Sequence, residues 1–189
     1  MSYDGIMIKQ TPEPSHKQVK CFYRKTVNSW WYNVSGKEKE KGNHFILEQG
    51  ETAVSFLKVA YQKNGKPYRF NLDIYIITPF QTVAKEMKTL VKTFFSNIDG
   101  IDQWVKTHIG TVHTFQGKEA NEVIFVLGCD RTAISAVRWV KKNLVNVAVT
   151  RAKYRLYVIG DLEVWKNSPW LESVFQEISD DYSNLQLFK

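Results

Sequence analysis

Arg151 is the residue whose setting most directly indicates chemistry. It lies in the segment Asn143–Asp161 (NLVNVAVTRAKYRLYVIGD), where a helical pattern passes into an apolar strand pattern. A guanidinium spreads its charge over a planar fork of N–H donors, so it can neutralise two phosphate oxygens at once, which a lysine ammonium cannot. The segment therefore indicates phosphate recognition. The alternative is an arginine on a helix surface that pairs with a nearby acid.

A second segment, Gly110–Val123 (GTVHTFQGKEANEV), places hydroxyl, imidazole, amide and carboxylate side chains directly after a short strand pattern. Such side chains bond phosphates and sugars without reading a base. A glycine among them, Gly117, lets the backbone approach a ligand closely. The candidate residues are Thr111, His113, Thr114, Gln116, Gly117 and Glu119. Each of them alone is equally typical of an ordinary loop.

A third segment, Ile76–Gln81 (IITPFQ), ends an apolar run at a proline. Thr78, Pro79 and Gln81 are candidates for ligand or nucleic-acid contacts, with simple turn formation as the alternative. Lys141 and Lys142 either touch phosphates or solvate a loop. Three tryptophans are predicted to pack in the core or in a groove, with base stacking as the alternative; they are Trp30, Trp31 and Trp139.

The elements that position these segments alternate between strand and helix patterns. Apolar or aromatic runs predict strands at Trp30–Val34, Asp73–Thr78, Gly110–His113, Glu122–Cys129 and Arg155–Gly160. Helical spacing of apolar residues predicts helices at Thr52–Tyr61, Gln81–Phe94, Leu144–Lys153 and Trp170–Ile178. The alternation predicts an α/β fold with a mostly parallel sheet covered on both faces. Ligands of such sheets bind at the carboxyl ends of strands, so the three segments are expected there.

The composition favours one globular domain with a polyanionic partner. The chain has 189 residues, a formal net charge of +7 and a pI of about 9.3, which suits nucleic acid but also an ordinary basic surface. Two cysteines, Cys21 and Cys129, form no disulfide framework, which favours a reducing, cytoplasmic setting. The four histidines are scattered, so no zinc site is predicted. Neither a membrane span nor a secretory signal is recognised.

The three segments resemble motifs IV, V and VI of superfamily 1 helicases, in that order and most densely from Asp73 to Asp161. The branch is the one that includes the RNA helicase of nonsense-mediated decay. The resemblance implies a three-layer RecA-like P-loop NTPase fold, the second such domain of the enzyme. Within Val149-Thr150-Arg151-Ala152-Lys153, it implies that Arg151 reaches the γ-phosphate of ATP held by a neighbouring domain.

The resemblance also assigns the other segments. Gln116, Gly117 and Glu119 are expected to face ATP together with Arg151, while Thr111, His113 and Thr114 face nucleic acid, as do Thr78 and Pro79. The motif IV arginine of many relatives is replaced here, because Ala84 stands at its place with Lys85 beside it. Whether Lys85 takes over its role stays open.

Two motifs needed for ATP hydrolysis are absent from the sequence: a GxxxxGK[ST] phosphate loop and a strand that ends in paired Asp-Glu. We therefore expect residues 29–189 to form a C-terminal helicase domain behind an irregular lead-in, residues 1–28, with no phosphate loop of its own. ATP and Mg²⁺ would be bound mainly by an upstream RecA-like domain of the same parent protein, and the chain alone would not hydrolyse ATP. Its nucleic-acid partner would be single-stranded DNA or RNA, and the resemblance suggests 5′-to-3′ movement. The alternative is a non-catalytic binding or interaction module that retains the helicase fold.

Overall fold

The structure, a computed structural model, describes residues 29–166, 168, 170–171 and 174. Five strands form one sheet in the order β1-β5-β4-β2-β3, and every neighbouring pair is parallel. The strands are β1 (Trp30–Asn33), β2 (Ile74–Thr78), β3 (Ile109–Thr111), β4 (Ala120–Val126) and β5 (Ala152–Gly160). The predicted α/β class with a mostly parallel sheet is confirmed.

Helices connect the strands. They are α1 (Leu47–Lys63), α2 (Gln81–Phe94), α3 (Ile101–His108), α4 (Ile134–Trp139), α5 (Lys142–Thr150) and α6 (Leu162–Trp165), with a 3₁₀ turn at Val112–Phe115. Crossovers between parallel strands are right-handed. The connections β1–β2 and β2–β3 run one way along the sheet and β4–β5 runs the other, so α1 to α3 cover one face while α4 and α5 cover the opposite face. The result is a three-layer sandwich.

The observed elements confirm most of the local predictions. Helix α2 has the predicted bounds, and strands β1 and β2 differ from theirs by one residue at one end. The predicted helix Trp170–Ile178 and the lead-in 1–28 fall largely or wholly outside the described residues, although Trp170, Leu171 and Val174 are helical.

Three predicted elements end two or three residues earlier than expected, and one of them is β4, which stops at Val126 and not at Cys129. The strand expected at Gly110–His113 stops at Thr111 and passes into the 3₁₀ turn. The helix expected to reach Lys153 ends at Thr150, because β5 already begins at Ala152. The sequence patterns did not predict α3 and α4, which have only eight and six residues.

The central strands bury an ion pair that the apolar pattern did not indicate. Glu122 on β4 lies beside Arg155 on β5, with Oε1 and Nη1 3.9 Å apart, and both side chains are more than nine-tenths buried. A buried charge must be paired, because desolvation of an isolated ion costs several kcal/mol. The pair therefore favours the observed register of β4 on β5.

The end of β4 is tied to the loop before α1. Gly128 has a φ of +68°, and its N–H donates to Oε1 of the buried Gln49 at 2.9 Å. The Gln49 amide donates in turn to the Val34 carbonyl at 3.0 Å. A Cβ at Gly128 would lie 2.2 Å from the carbonyl oxygen of His44, so only glycine fits there.

This contact makes Gly128→Ala a sharp test of the fold. The substitution places an alanine in the left-handed backbone region, which costs about 1–2 kcal/mol. Its Cβ also clashes with backbone that cannot move aside. We expect the free energy of unfolding in urea to fall by at least about 2 kcal/mol more than for Gly65→Ala. Gly65 is the matched control, because its φ is +78° but nothing lies within 4 Å of the added Cβ. Equal losses for the two variants would contradict the packing described.

Candidate functional site

The predicted site residues lie at two opposite edges of the sheet. Thr78 pairs with Thr111 where β2 and β3 end, at the carboxyl-terminal edge. Ala120 pairs with Ala152 where β4 and β5 begin, and the residues just before them, Glu119 and Arg151, lie at the amino-terminal edge. The expectation that all three segments follow strand ends is therefore wrong for Arg151 and for the loop that ends at Glu119. The chain from β3 to β4 must cross the sheet to begin another parallel strand.

Arg151 caps the carboxyl end of α5 with its own side chain. Its Nε donates to the Val147 carbonyl at 3.1 Å, Nη1 to the Lys118 carbonyl at 3.0 Å and Nη2 to Thr150 Oγ1 at 3.0 Å. All three acceptors are neutral, and no ion pair joins Arg151 to a carboxylate within the described ranges. The alternative of an arginine paired with a local acid is not what the structure shows. The guanidinium is half-buried and held by three hydrogen bonds, none of which goes to a carboxylate of the described residues.

The loop that contacts Arg151 is exposed from Gln116 to Glu119. Gly117 has a φ of +79°, and no atom lies within 4 Å of the position its Cβ would take. A ligand can therefore approach the backbone at this point. Since the Lys118 carbonyl accepts from Arg151, the loop and the guanidinium lie together. They contain the four residues predicted to face ATP, which are Gln116, Gly117, Glu119 and Arg151.

The other predicted residues of this segment lie on the 3₁₀ turn. His113 and Thr114 are exposed there and Thr111 is half-buried. Gly110 makes room for the turn, because a Cβ at that position would lie 2.7 Å from Thr114 Oγ1. The hydroxyl and imidazole groups thus face outward beside the carboxyl-terminal edge.

A pocket of about 370 Å³ lies between the 3₁₀ turn and α5. It is lined by Val112, His113, Gln116, Trp139, Lys141, Asn143, Leu144 and Val147. Trp139 is 53% exposed at the end of α4, with its ring 6.2 Å from that of Phe80. Trp31, by contrast, is buried in the core as predicted. Asn143 was not among the predicted site residues. Of the two lysines for which the sequence left phosphate contact and loop solvation open, Lys141 lines the pocket.

The pocket is continuous with the surroundings of Arg151. Val147 and Gln116 both line it, and the Val147 carbonyl accepts the hydrogen bond from Arg151 Nε. One helix, α5, therefore borders the pocket along its side and carries Arg151 at its end.

The motif IV residues are placed differently from the others. Thr78 and Pro79 are buried, and Thr78 Oγ1 accepts from the Phe80 N–H at 3.4 Å. In this conformation their side chains shape the turn into α2 and do not reach the surface. Ala84 is buried and Lys85 is exposed on α2, on the sheet face opposite α5. The structure does not bring Lys85 together with Arg151.

Among the residues described, no helix combines the length and apolar character that crossing a bilayer requires.

Comparisons with known proteins point to one family. The model of the AAA domain family matches residues 1–163. The chain is 28% identical to helicase sen1 of Schizosaccharomyces pombe over 192 residues, which covers 86% of this chain and 11% of that protein. It is 26% identical over 155 residues to the uncharacterized ATP-dependent helicase MJ0104 of Methanocaldococcus jannaschii, covering 77% of this chain and 20% of that protein. It is 27% identical over 183 residues to the putative helicase mov-10-B.2 of Danio rerio, which covers 84% of this chain and 17% of that protein. The chain thus spans a fifth or less of the length of these relatives.

The burial of Thr78 leads to a prediction about stability. Thr78→Val keeps the shape but removes the acceptor of the buried Phe80 N–H, so the free energy of unfolding should fall by about 1–3 kcal/mol. Thr93→Val, at an exposed position of α2, is the control and should change it by no more than about 0.5 kcal/mol. Urea denaturation followed by circular dichroism measures both. An unchanged stability for Thr78→Val would show that its hydroxyl is not needed in the turn.

Proposed function

Since this chain belongs to the AAA domain family and is a C-terminal superfamily 1 helicase domain of the nonsense-mediated-decay-helicase-like branch, we propose that it supplies an arginine finger and part of a single-strand track to an ATP-dependent helicase. The observation that carries the proposal is the way in which the Arg151 side chain is held. Its guanidinium is oriented by three neutral oxygens beside an exposed loop and has no carboxylate partner in the described chain.

The residues around Arg151 suit a nucleotide presented by another domain. The triphosphate brings negative charge that shifts onto the transferring phosphoryl oxygens, and Mg²⁺ neutralises part of it. Arg151 supplies a cation whose Nη atoms can exchange the Lys118 carbonyl and the Thr150 hydroxyl for phosphate oxygens. A phosphate oxygen carries negative charge that the carbonyl and hydroxyl oxygens lack, and it can be bound by two parallel guanidinium N–H groups, so the exchange favours the phosphate. Glu119 and the open backbone at Gly117 are proposed to hold the sugar side of the nucleotide, with Gln116 beside them.

The binding of ATP and Mg²⁺ is proposed to depend mainly on an upstream RecA-like domain of the parent protein. This sequence contains no phosphate loop and no strand that ends in paired Asp-Glu, so Arg151 and its loop lack groups that cradle the β-phosphate or ligate Mg²⁺. We therefore propose that the chain by itself does not hydrolyse ATP. Movement from 5′ to 3′ stays a prediction from the resemblance, and a cytoplasmic setting stays a prediction from the use of cysteine.

The nucleic-acid track is proposed to follow the 3₁₀ turn and the pocket beside it. His113, Thr114 and Thr111 offer donors for phosphates and sugars, and Lys141 adds positive charge at the rim. The exposed Trp139 ring offers a stacking surface, which every base can use. Binding of this kind has little sequence preference and weakens steeply with salt. Thr78 and Pro79, whose side chains are buried, are proposed to act by shaping the turn beneath the track.

Helix α5 is the element proposed to couple the two sites. It lies along the pocket at Val147, and that residue's carbonyl holds Arg151 Nε. A shift of α5 toward a triphosphate must therefore change the wall of the pocket. ATP binding at Arg151 would thereby change the surface proposed to hold the single-stranded nucleic acid.

Arg151→Ala in the parent helicase tests the finger. We expect ATP turnover, measured as phosphate release with saturating single strand, to fall about a thousandfold or more. Arg151→Lys should recover little of it, because an ammonium lacks the guanidinium fork. Lys153→Ala is the matched control, since Lys153 is exposed two residues further on and should leave turnover unchanged. If Arg151→Ala turns over ATP at the normal rate, the chain is better described as a non-catalytic binding module.

Trp139→Ala tests the track in the 189-residue chain. Loss of one stacked base costs about 1–3 kcal/mol, so the affinity for oligo(dT) or oligo(U) should fall about 5- to 150-fold in fluorescence anisotropy titrations. His113→Ala should weaken the binding of oligo(dT) and the binding of oligo(U) to the same degree, because His113 is proposed to contact the sugar-phosphate backbone. Tyr68→Ala is the control, an aromatic residue 89% exposed at the turn after α1. Equal affinities of Trp139→Ala, Tyr68→Ala and the parent chain would remove the pocket from the track.

A further inference from the structure

A cluster of three metal-ligating side chains lies outside the nucleotide and nucleic-acid sites. Glu38 and His44 come from the loop between β1 and α1, and Cys129 comes from the segment after β4. Their ligand atoms, a carboxylate oxygen, a ring nitrogen and the thiol sulfur, all lie within 4.8 Å of one another. Among the described residues this is the only such group of three or more.

The cluster is enclosed by the fold. Glu38 Oε1 is 3.0 Å from His44 Nδ1, and the side chains of Glu38 and His44 are 4% and 21% exposed. Cys129 is fully buried, and no hydrogen bond to its sulfur is found in the described chain. A cluster of such side chains on the solvated surface would need no further explanation. The burial of a thiol within 4.8 Å of a carboxylate does need one.

The backbone holds the cluster in an unfavourable conformation. His44 and Cys129 have φ angles of 60° and 63°, in the left-handed region that side chains other than glycine rarely adopt. They are bonded to each other, because the Cys129 N–H donates to the His44 carbonyl at 2.9 Å. Such strain is concentrated at functional sites and ligand clamps. Here it turns the two side chains toward Glu38.

The surroundings are negative. The carboxylate of Asp130 accepts from the Glu38 N–H at 3.1 Å, so two acids border the thiol. Burial, and then the charges of Glu38 and Asp130, raise the pKa of the Cys129 thiol. A cation in the cluster would lower the energy of both carboxylates and of the thiolate.

We propose that Glu38, His44 and Cys129 bind one Zn²⁺ ion. Carboxylate, imidazole and thiolate are the three ligand types that zinc accepts, and three protein ligands leave a fourth position for water. Tetrahedral zinc places such ligand atoms about 3.3–3.5 Å apart, so the widest separation must close by on the order of 1 Å. Rotations of the Cys129 and Glu38 side chains supply that movement. The thiol proton leaves to solvent when the ion binds.

Zinc at this position would join the loop before α1 to the end of β4, beside the proposed track. The His44 ring lies 4.5 Å from that of Phe80, and Phe80 lies 6.2 Å from Trp139. Occupancy of the site would therefore stiffen the support beneath the stacking surface. This role does not depend on ATP hydrolysis by the parent protein.

Titration of the metal-free 189-residue chain with Co²⁺, followed by competition with Zn²⁺, tests the site. We expect one Co²⁺ per chain, with the ligand-field absorption of tetrahedral cobalt and a thiolate-to-cobalt charge-transfer band. Zinc should displace the cobalt and raise the thermal unfolding midpoint. Absence of the charge-transfer band at saturating Co²⁺, or no binding at all, would overturn the proposal.

Variants separate Cys129 from the chain's other thiol. Cys129→Ser should abolish the charge-transfer band and weaken zinc binding by more than the roughly 10- to 100-fold that loss of an outer-shell partner costs. Cys21→Ser should leave both unchanged. Glu38→Gln keeps the shape of the side chain, so it should weaken zinc binding without unfolding the chain, as circular dichroism would show. A band lost in Cys21→Ser but kept in Cys129→Ser would contradict the assignment, as would a Glu38→Gln chain that is folded and binds zinc normally.

Discussion

Two hydrogen bonds across the start of the β4–β5 pair position the proposed finger. The Ala120 N–H donates to the Arg151 carbonyl at 3.0 Å, and Arg151 Nη1 donates to the Lys118 carbonyl at 3.0 Å. The segment from Lys118 to Ala120 thereby holds both the main chain and the side chain of Arg151. Because β4 and β5 are central strands, the register behind these bonds is set by a buried core and by the Glu122–Arg155 pair. Within the described residues, three neutral oxygens orient the guanidinium without a carboxylate, which is the feature that the proposed finger role depends on.

The path of the chain from β3 to β4 places the two proposed sites at opposite ends of one segment. Parallel strands must begin at the same edge, so this segment starts at the carboxyl-terminal edge with Thr111 and returns to the opposite edge at Glu119. His113 and Gln116 line the pocket, and the Lys118 carbonyl near the end of the segment accepts from Arg151. Helix α5 runs beside it over the same distance and closes the other wall of the pocket. The proposed nucleotide and nucleic-acid surfaces are thus two ends of one supersecondary unit.

The carboxyl-terminal edge is built from polar contacts between distant parts of the chain. Gln49 bonds both Val34 and Gly128, while the Cys129 N–H bonds the His44 carbonyl. These bonds satisfy buried polar groups that would otherwise destabilise the fold. They also bring Glu38, His44 and Cys129 within reach of a single ion. The loop that carries Glu38 and His44 is thereby joined by a backbone hydrogen bond to the segment after β4.

Most of the strands and helices, and the chemistry of the motifs, could be predicted from the sequence. Helix α2 and strand β2 could be read from residues close in the chain, because periodicity and the Thr78-Pro79 break act locally. The motif VI pattern singled out Arg151 in the same way. Only the tertiary structure decided that Arg151 lies at the amino-terminal edge, that Thr78 is buried and that Trp139 is exposed. Those outcomes depend on strand order and on how the helices cover each face, and both are set by contacts between residues far apart in the chain.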